Sequence, residues 1–367
     1  MRDILKRATL VAAMTGAVPA GATELKMVIG NGPQHDGTKV MEQWAGDLET
    51  RTDGALTARV FPATLVTVKE IPAGLKSGLA DIGQIVYPYH PAEFPEAAFI
   101  SDFSLFATSN VAAAGAMAEY MLTCTDCREE LHRNGLVYFG GLANAPYSLL
   151  ATKRIVSLDD FNGLRVRSGG DAWGRWIEGL GGIKVSIPSQ DAYQALSQGM
   201  LDAHTHSIGS LIDQSLVDVV TDVTDIPAGV YFGAAWNFSK KSWDALSDDE
   251  RAVLFERAPY GLALSNTTLE LSRRKVMDQL AELNIALHHP DDSLMAANRA
   301  FLEEEKARIV AMAPERYGVE NAADKADRFL ALLDKWEKLA ADTPLEAQAV
   351  GDLYTREIYS HLTPADL

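Results

Sequence analysis

The chain has 367 residues, of which 47% are hydrophobic and 23% charged, a balance typical of a globular protein with one large or two medium-sized domains. Its formal net charge at pH 7 is -17, and no basic stripe occurs along it. Nucleic-acid binding needs a concentrated basic surface, so the composition argues against a nucleic-acid partner.

The first residues predict a signal peptide. Basic residues precede an apolar run (8–18), which ends in the small-residue sequence AGA (20–22), an A-x-A cleavage pattern. The run is too short to span a bilayer; a buried first helix is the alternative. We therefore expect residues 1–22 to be removed, the mature chain to begin near Thr23, and the protein to be exported to the periplasm.

Strand and helix patterns alternate in the first half of the chain. Apolar residues recur at helical spacing within 37–52, between two short strand patterns. The predicted strands are 25–30, 55–61 and 80–87, and the predicted helices are 37–52 and 68–78. Strands separated by helices of this length predict βαβ units and a largely parallel sheet.

The same alternation restarts after Tyr147. The predicted strands are 147–152, 164–168, 184–187 and 201–207, and the predicted helices are 157–163, 171–182 and 189–199. From Trp243 onwards the pattern is mostly helical, apart from a returning strand at 285–290. No low-complexity linker separates the two halves, so we expect the chain to cross between them more than once.

Cys124 and Cys127 form the sequence CTDC between two helical patterns. An oxidising compartment favours closure of such a dithiol, and a structural disulfide is the preferred interpretation. A redox centre of the thioredoxin kind follows a strand and opens a helix, which this pair does not. A zinc site would need further ligands, and the sequence offers none nearby.

Several motifs resemble those of the DctP-type solute receptors of TRAP transporters. The core resemblance lies in FNGLRVRSGG and GLGGIKVSIPSQDAYQALSQGMLDA. Upstream, WAGDLETRTDGALTARVFPATL and GLKSGLADIGQI are similar to a helix, strand and strand-leading segment of the first domain in that family. Downstream, WDALSDDERAVLFE is similar to its domain-spanning helix. The resemblance runs from about Leu25 to His289, with the motifs in the family's order.

The resemblance implies an α/β fold of two domains, like a type II periplasmic-binding protein, with a cleft, domain-crossing strands and a long interdomain helix. We expect domain I to comprise residues 23–147 plus 237–284. Domain II would comprise 148–236 plus 285–367, including the helical C-terminal tail.

The implied function is binding of a small organic carboxylate for a TRAP permease, whose small and large membrane subunits use an ion gradient. The chain has no Walker-type phosphate loop, which agrees with uptake that does not use ATP. No enzymatic activity, cofactor or metal is expected. A ligand sensor for a signalling partner would use the same fold and stays an alternative.

The resemblance assigns Arg167 to the ligand carboxylate, since it matches the family's arginine at the end of the G-L-x-x-R strand. The planar guanidinium can meet both oxygens of a carboxylate and stays charged when desolvated. Gly169 and Gly170 follow, where the backbone can approach a ligand, before a predicted helix N-terminus. Arg165, two residues earlier, is expected to need only solvent.

His204 and His206 lie two apart in a predicted strand and would share a face. By the resemblance, His206 replaces a ligand-binding asparagine of many relatives, and His204 would lie beside it. A zinc-dependent hydrolase built on this His-x-His pair is the alternative, but it needs further metal ligands. Core packing is the remaining interpretation.

Other candidate ligand-binding residues follow from position within the resemblance. They are Asn31 and His35 after the first strand, Tyr87 and Tyr89 after the third, Asn144 before the second half, Trp173 after Arg167, and Phe232 in a crossing strand. Some relatives carry a second arginine near Asn144, and this chain has none there. We therefore expect a monocarboxylate with an aromatic or hydroxylated body.

Overall fold

The computed structural model describes residues 22–367, so the predicted signal peptide lies outside the described residues except for Ala22. In this part of the chain the strands form two sheets. The strands are β1 (Thr23–Ile29), β2 (Leu56–Pro62), β3 (Ile82–Val86), β4 (Leu136–Leu142), β5 (Tyr147–Ala151), β6 (Arg165–Ser168), β7 (Ile183–Ser186), β8 (Ala203–Ser207), β9 (Asp222–Thr224), β10 (Ala234–Ser239) and β11 (Ala286–His288).

The helices cover the sheets and extend towards the C-terminus. They are α1 (Asp36–Arg51), α2 (Ile71–Ser77), α3 (Pro95–Ser101), α4 (Asn110–Thr123), α5 (Thr125–Arg133), α6 (Leu158–Phe161), α7 (Asp171–Gly179), α8 (Ala192–Ser197), α9 (Ser210–Asp213), α10 (Lys240–Ala245), α11 (Asp248–Gln279), α12 (Asp292–Arg316), α13 (Ala322–Ala341) and α14 (Ala347–Glu357). None of these helices is long and apolar enough to cross a membrane.

The first sheet has the order β2-β1-β3-β10-β4. β1 pairs in parallel with β2 and β3, whereas β10 runs antiparallel to β3 and β4. The apolar face of α1 covers the sheet, and the indole of Trp44 donates to the carbonyl of Arg257 on α11 (3.0 Å). The sheet thus contains the βαβ units predicted for this half of the chain and one further strand, β10, that returns from the other half.

The second sheet has the order β11-β9-β5-β8-β6-β7. β8 lies inside it, antiparallel to β5 and parallel to β6. Arg167 is opposite His204 in this register, and His206 is opposite Ser148. The sheet therefore brings Arg167 and the two histidines to the same face, next to the first sheet.

Two short segments and the long helix α11 connect the lobes, and α12 leads from β11 of the second sheet to α13, which packs on α4. Residues 143–146 link β4 to β5, and residues 225–233 link β9 to β10. The segments run side by side, since the Asn144 N–H donates to the carbonyl of Tyr231 (2.8 Å). α11 packs against α1 and β4 near its start, and its Val276 belongs to the apolar core of the second lobe.

Gly229 lets the second crossing segment pass close to the first lobe. Its φ is +76°, and a Cβ at this position would lie 2.4 Å from the carbonyl oxygen of Ser104. A residue with a Cβ would be strained by the positive φ and by its contact with this carbonyl oxygen. The close approach fixes where the two lobes meet.

The packing of two regions departs from the domain bounds predicted from the sequence. All of β10 pairs within the first sheet, although the sequence analysis placed residues 234–236 in domain II. α13 packs on α4 and α14 packs on α11, both in the first lobe. We propose on these contacts that α13, α14 and the whole of β10 belong to the first lobe.

Cys124 and Cys127 form a disulfide bond at the junction of α4 and α5, and both residues are buried. The Cys124 sulfur also accepts the backbone N–H of Cys127 at the start of α5 (3.1 Å). The pair therefore closes the sharp turn between two helices.

Candidate ligand-binding cleft

A cleft lies between the two sheets, beside the crossing segments. It encloses about 850 Å³ including its open mouth. Polar side chains line it from both lobes: Asn31, His35, Gln84, Tyr89, Arg167, Gln190, His206 and Gln214. Of the described residues that line it, Arg167 is the only lysine or arginine, and none is an aspartate or glutamate. The cleft therefore carries one fixed positive charge.

Arg167 is held rigidly at the end of β6 with 2% of its surface exposed. Its Nε donates to the carbonyl of Ile187 (2.9 Å), and its Nη2 donates to the hydroxyl of Tyr89 (3.1 Å). Within residues 22–367 no carboxylate lies within 4 Å of the guanidinium. A buried guanidinium remains charged. Arg167 thus presents an uncompensated positive charge to the cleft.

The two arginines of β6 differ in their partners. Nε and Nη2 of Arg165 each donate to a carboxylate oxygen of Asp202 at 3.0 Å. The expectation that Arg165 contacts only solvent is wrong, because Asp202, just before β8, reaches its guanidinium. Arg167 has no such carboxylate partner among residues 22–367, and a glycine, Gly169, lies beside it. A Cβ at position 169 would lie 3.0 Å from Nη1 of Arg167. This glycine leaves space at the guanidinium.

His206 lines the cleft next to Arg167 as a neutral imidazole. Burial lowers its pKa to about 3, and the positive charge of Arg167 acts in the same direction. Its ring stacks on that of Tyr147, with centroids 5.0 Å apart. A neutral imidazole can donate or accept a hydrogen bond without adding charge.

His204 shares the face of His206, as expected, but does not line the cleft. The two rings stack with centroids 4.9 Å apart, and His204 is fully buried. Burial lowers its pKa well below the usual range, with the neighbouring His206 ring and the positive charge of Arg167 as further causes. The structure therefore places His204 behind His206 and away from a ligand.

The wall from the first lobe touches the second lobe across the cleft. The side-chain oxygen of Asn31 accepts from Nε2 of Gln190 (2.7 Å). Nε2 of His35 lies 3.4 Å from a carboxylate oxygen of Asp213. With the Tyr89–Arg167 hydrogen bond, these contacts bridge the two lobes.

Tyr147 and Tyr231 form an aromatic wall at the base of the cleft. Their rings are nearly parallel, with centroids 6.3 Å apart and planes 9° apart. The hydroxyl of Tyr231 is buried and has no hydrogen-bond partner among residues 22–367. Asn144 also lines the cleft, and its Nδ2 donates to the hydroxyl of Tyr147 (3.2 Å).

Trp173 supports this wall from behind and does not line the cleft, contrary to expectation. It is 1% exposed, and its ring lies 5.0 Å from Tyr147 and 5.6 Å from Tyr231, centroid to centroid. Its Nε1 donates to the carbonyl of Ala228 (2.8 Å). Because α7 presents Trp173 to the crossing segment, the indole holds the two tyrosines in position.

Tyr87 and Phe232 were also expected in the cleft, and the structure places both in the core of the first lobe. The hydroxyl of Tyr87 donates to the side-chain oxygen of Asn237 on β10 (2.9 Å). Phe232 packs against Phe329 of α13, with ring centroids 5.2 Å apart. Both side chains are fully buried, and neither lines the cleft.

Several residues that line the cleft were not among the predicted ligand-binding residues. Gln190, Gln214 and Tyr231 lie in turns or in a crossing segment, and Gln84, Tyr147 and Trp236 lie in strands. Gln190 lies in the short turn between β7 and α8, where binding residues are common in α/β proteins, but the sequence pattern placed it inside a predicted helix. Tyr231 follows a glycine within the predicted crossing, which was the one available signal.

The cleft offers little to a metal ion. The described residues contain no group of three or more His, Cys, Asp or Glu side chains arranged to hold one. A catalytic zinc site uses three protein ligands. The His204–His206 pair supplies two imidazoles, and one of them lies outside the cleft lining.

The lobes, the crossing segments and the charged cleft define a two-lobed solute-binding protein. Residues 29–311 match the family model DctP, described as "Bacterial extracellular solute-binding protein, family 7". The match covers well over half of the chain, so the chain belongs to this family. The prediction of a DctP-type solute-binding protein from the sequence motifs is confirmed.

Individual relatives agree with this assignment. A "Solute-binding protein" of Albidiferax ferrireducens is 23% identical over 246 residues, which cover 66% of this chain and 71% of the relative. A TRAP solute-binding protein of Rhodoferax ferrireducens, solved with copurified benzoate, has a TM-score of 0.76 at 18% identity, covering 87% of this chain and 100% of its own.

A second solved structure gives the same result. A marine-metagenome TRAP solute-binding protein from an unidentified microbe, specific for aromatic acids and solved with 3-hydroxybenzoate, has a TM-score of 0.76 at 19% identity. The alignment covers 86% of this chain and 99% of that one. At these identities the likeness concerns the fold, and the predicted two-domain fold class is confirmed.

Proposed function

We propose that this protein captures a small organic monocarboxylate, with Arg167 binding the carboxylate, and presents it to the membrane subunits of a TRAP permease. The observation that carries the proposal is the uncompensated charge of Arg167. Burying an isolated charge is costly unless a partner compensates it. A carboxylate ligand would supply that partner with charge-assisted hydrogen bonds.

The number of charges in the cleft favours one carboxylate over two. Arg167 is the single cation among the described lining residues, and His206 and His35 both have lowered pKa values. A second ligand carboxylate would lose its hydration without meeting a positive charge. A monocarboxylate is therefore the better fit.

The lining also favours a planar or hydroxylated ligand body. Tyr147 and Tyr231 present parallel rings, and aromatic rings favour stacked or edge contacts with another ring. The buried hydroxyl of Tyr231 and the neutral imidazole of His206 can bond a ligand hydroxyl. Structurally similar proteins are described with benzoate and 3-hydroxybenzoate, which have this chemistry.

A thermal-shift panel on the purified mature protein tests the proposal. A ligand that binds only the folded state raises the melting temperature. The panel contains benzoate and 3-hydroxybenzoate, benzamide as an uncharged match for benzoate, and phthalate as a dicarboxylate. We expect stabilisation by a monocarboxylate and none by benzamide or phthalate. Equal shifts with benzamide, or no shift with a wider set of monocarboxylates, would contradict it.

Delivery to a TRAP permease needs a cellular test. Cells that carry the matching permease should lose uptake of the identified acid when this chain is deleted. Collapsing the ion gradient should have the same effect, because the proposed transport does not use ATP. Uptake that continues without this chain would contradict the transport role while leaving ligand binding intact.

A further inference from the structure

Three residues that line the cleft carry a buried polar atom with no hydrogen-bond partner among residues 22–367. The atoms are Nδ1 of His206, Oε1 of Gln214 and the hydroxyl oxygen of Tyr231. Folded proteins pair roughly 90% or more of their buried polar groups, so three unpaired atoms around one cleft point to a ligand that pairs with them. The proposed function uses His206 and Tyr231, and Gln214 has no role in it.

The turn that carries Gln214 is fixed on both sides. Leu211 and Leu216 flank it and are fully buried in the apolar core of the second lobe. The backbone N–H of Gln214 donates to the carbonyl of Ser210 (3.1 Å). Ser215, the next residue, has a φ of +57°, which is uncommon for a residue with a Cβ. The backbone therefore holds Gln214 at the cleft, and its side chain needs no partner from the protein.

The amide of Gln214 suits an uncharged polar group on a ligand. A glutamine side chain has an accepting oxygen and two donating N–H groups, and a hydroxyl likewise both accepts and donates. Asp213, its neighbour in sequence, is directed towards His35 and does not line the cleft. An apolar ligand surface against the amide would leave it unpaired, whereas a hydroxyl would complete its hydrogen bonds.

We propose that Gln214 is a specificity-determining residue whose side-chain amide binds a hydroxyl group on the body of the ligand. The cleft then prefers hydroxylated monocarboxylates to the same acids without the hydroxyl. Arg167 binds the carboxylate that all these acids share, and Gln214 distinguishes among them. The inference rests on the proposed function, since it concerns the ligand of the same cleft.

Gln214 allows a cleaner test than the other two residues. The rings of His206 and Tyr231 each lie against the ring of Tyr147, with centroids 5.0 and 6.3 Å away, so replacing either ring would disturb the aromatic wall. Gln214→Met keeps a similar length and volume and removes only the amide. Gln198→Met, at an exposed glutamine that ends α8, is the matched control.

Calorimetric titration with pairs of acids that differ by one hydroxyl measures the preference. The pairs are benzoate with 3-hydroxybenzoate, benzoate with 4-hydroxybenzoate, and phenylacetate with mandelate. We expect the wild type and Gln198→Met to bind the hydroxylated member of at least one pair about tenfold more tightly, the equivalent of one hydrogen bond. In Gln214→Met the two members of that pair should bind within about threefold of each other.

Thermal melting of the ligand-free protein gives a second measurement that needs no ligand. Because Oε1 of Gln214 has no partner in the protein, Gln214→Met should melt at or above the temperature of the wild type. A melting temperature clearly below those of the wild type and Gln198→Met would assign the amide a structural role and overturn the inference. A Gln214→Met variant that keeps the full preference would overturn it too.

The titrations also separate this inference from the proposed function. If the wild type binds these acids without preferring a hydroxyl in any pair, the role of Gln214 is overturned while carboxylate binding stands. If the wild type binds none of the acids, the proposed function is contradicted, and the inference that rests on it fails as well.

Discussion

One buried and one half-buried arginine show how differently this protein treats positive charge. Arg167 in the cleft contacts a carbonyl and a tyrosine hydroxyl and has no carboxylate partner among residues 22–367. Arg175, on α7, donates to Glu305 (2.7 Å) and to Asp102 (3.1 Å). Neither Arg175 nor its two partners lines the cleft.

The region around Arg175 joins the lobes away from the ligand. Asp102 belongs to the first lobe, and its carboxylate also accepts the hydroxyl of Tyr317 (2.8 Å). Glu305 on α12 accepts from Arg308 as well (2.7 Å). The comparison teaches that the chain supplies counter-charges where arginine has a structural role. In the cleft, we propose that the ligand takes that position.

Removing Arg175 should produce the largest loss of stability. Arg175→Met leaves the buried carboxylate of Asp102 without a cation, so we expect the free energy of unfolding to fall by about 3–5 kcal/mol. Urea denaturation measures this change. Arg133→Met, at an exposed pair with Glu129 (3.9 Å), is the control and should change stability by less than about 1 kcal/mol. If Arg175→Met loses no more stability than Arg133→Met, the structural role of Arg175 is contradicted.

An acidic side chain placed beside Arg167 should pair with its guanidinium and compete with a ligand carboxylate. A side chain at position 169 begins 3.0 Å from Nη1 of Arg167, so Gly169→Asp can pair with it. We expect the affinity for a bound monocarboxylate to fall about 10- to 100-fold, the equivalent of one charge-assisted hydrogen bond. Gly169→Asn has the same shape without the charge, and calorimetry should find it closer to wild type. If both variants bind equally, the effect is steric.

The pH dependence of stability offers a smaller test. Burial and Arg167 lower the pKa of His206 from an unfolded value near 6.5 to about 3. Between these values the unfolded chain binds the proton and the folded chain does not, so stability falls as the pH drops below 6.5. Relative to His206→Asn, the wild type should lose about 1–2 kcal/mol from pH 6.5 to pH 5. If the difference in unfolding free energy between the two proteins is the same at pH 6.5 and pH 5, a neutral His206 is contradicted.

The sequence predicted the strand of Arg167 because the flanking motif is local and continuous, whereas the binding role that the family resemblance assigns to Arg167 stays a prediction. It could not separate Tyr87 from Tyr89, since β3 ends at Val86 and a short 3-10 turn then directs Tyr87 to Asn237. Tyr89, at the end of the same turn, reaches Arg167. The direction of a side chain in an irregular turn depends on tertiary contacts that no periodic pattern records.

The base of the cleft was hidden from the sequence for a related reason. Tyr231 lies in a crossing segment whose path is fixed by Gly229 against Ser104, a contact between residues far apart in the chain. Trp173 has helical spacing that predicts burial, but not which neighbours it would support. The family resemblance predicted a cleft. Tertiary packing determines which aromatic side chains line it.

The central claim is that Arg167 binds a ligand carboxylate. Isothermal titration calorimetry with the best monocarboxylate of the thermal-shift panel tests it in wild type, Arg167→Met and Arg165→Met. Arg165 lies on the same strand but pairs with Asp202, so it is the matched control. We expect Arg167→Met to lose about 2–5 kcal/mol of binding free energy, or about 30- to several thousand-fold in affinity. Arg165→Met should bind like wild type. An Arg167→Met variant that remains folded and binds within about threefold of wild type would contradict the account.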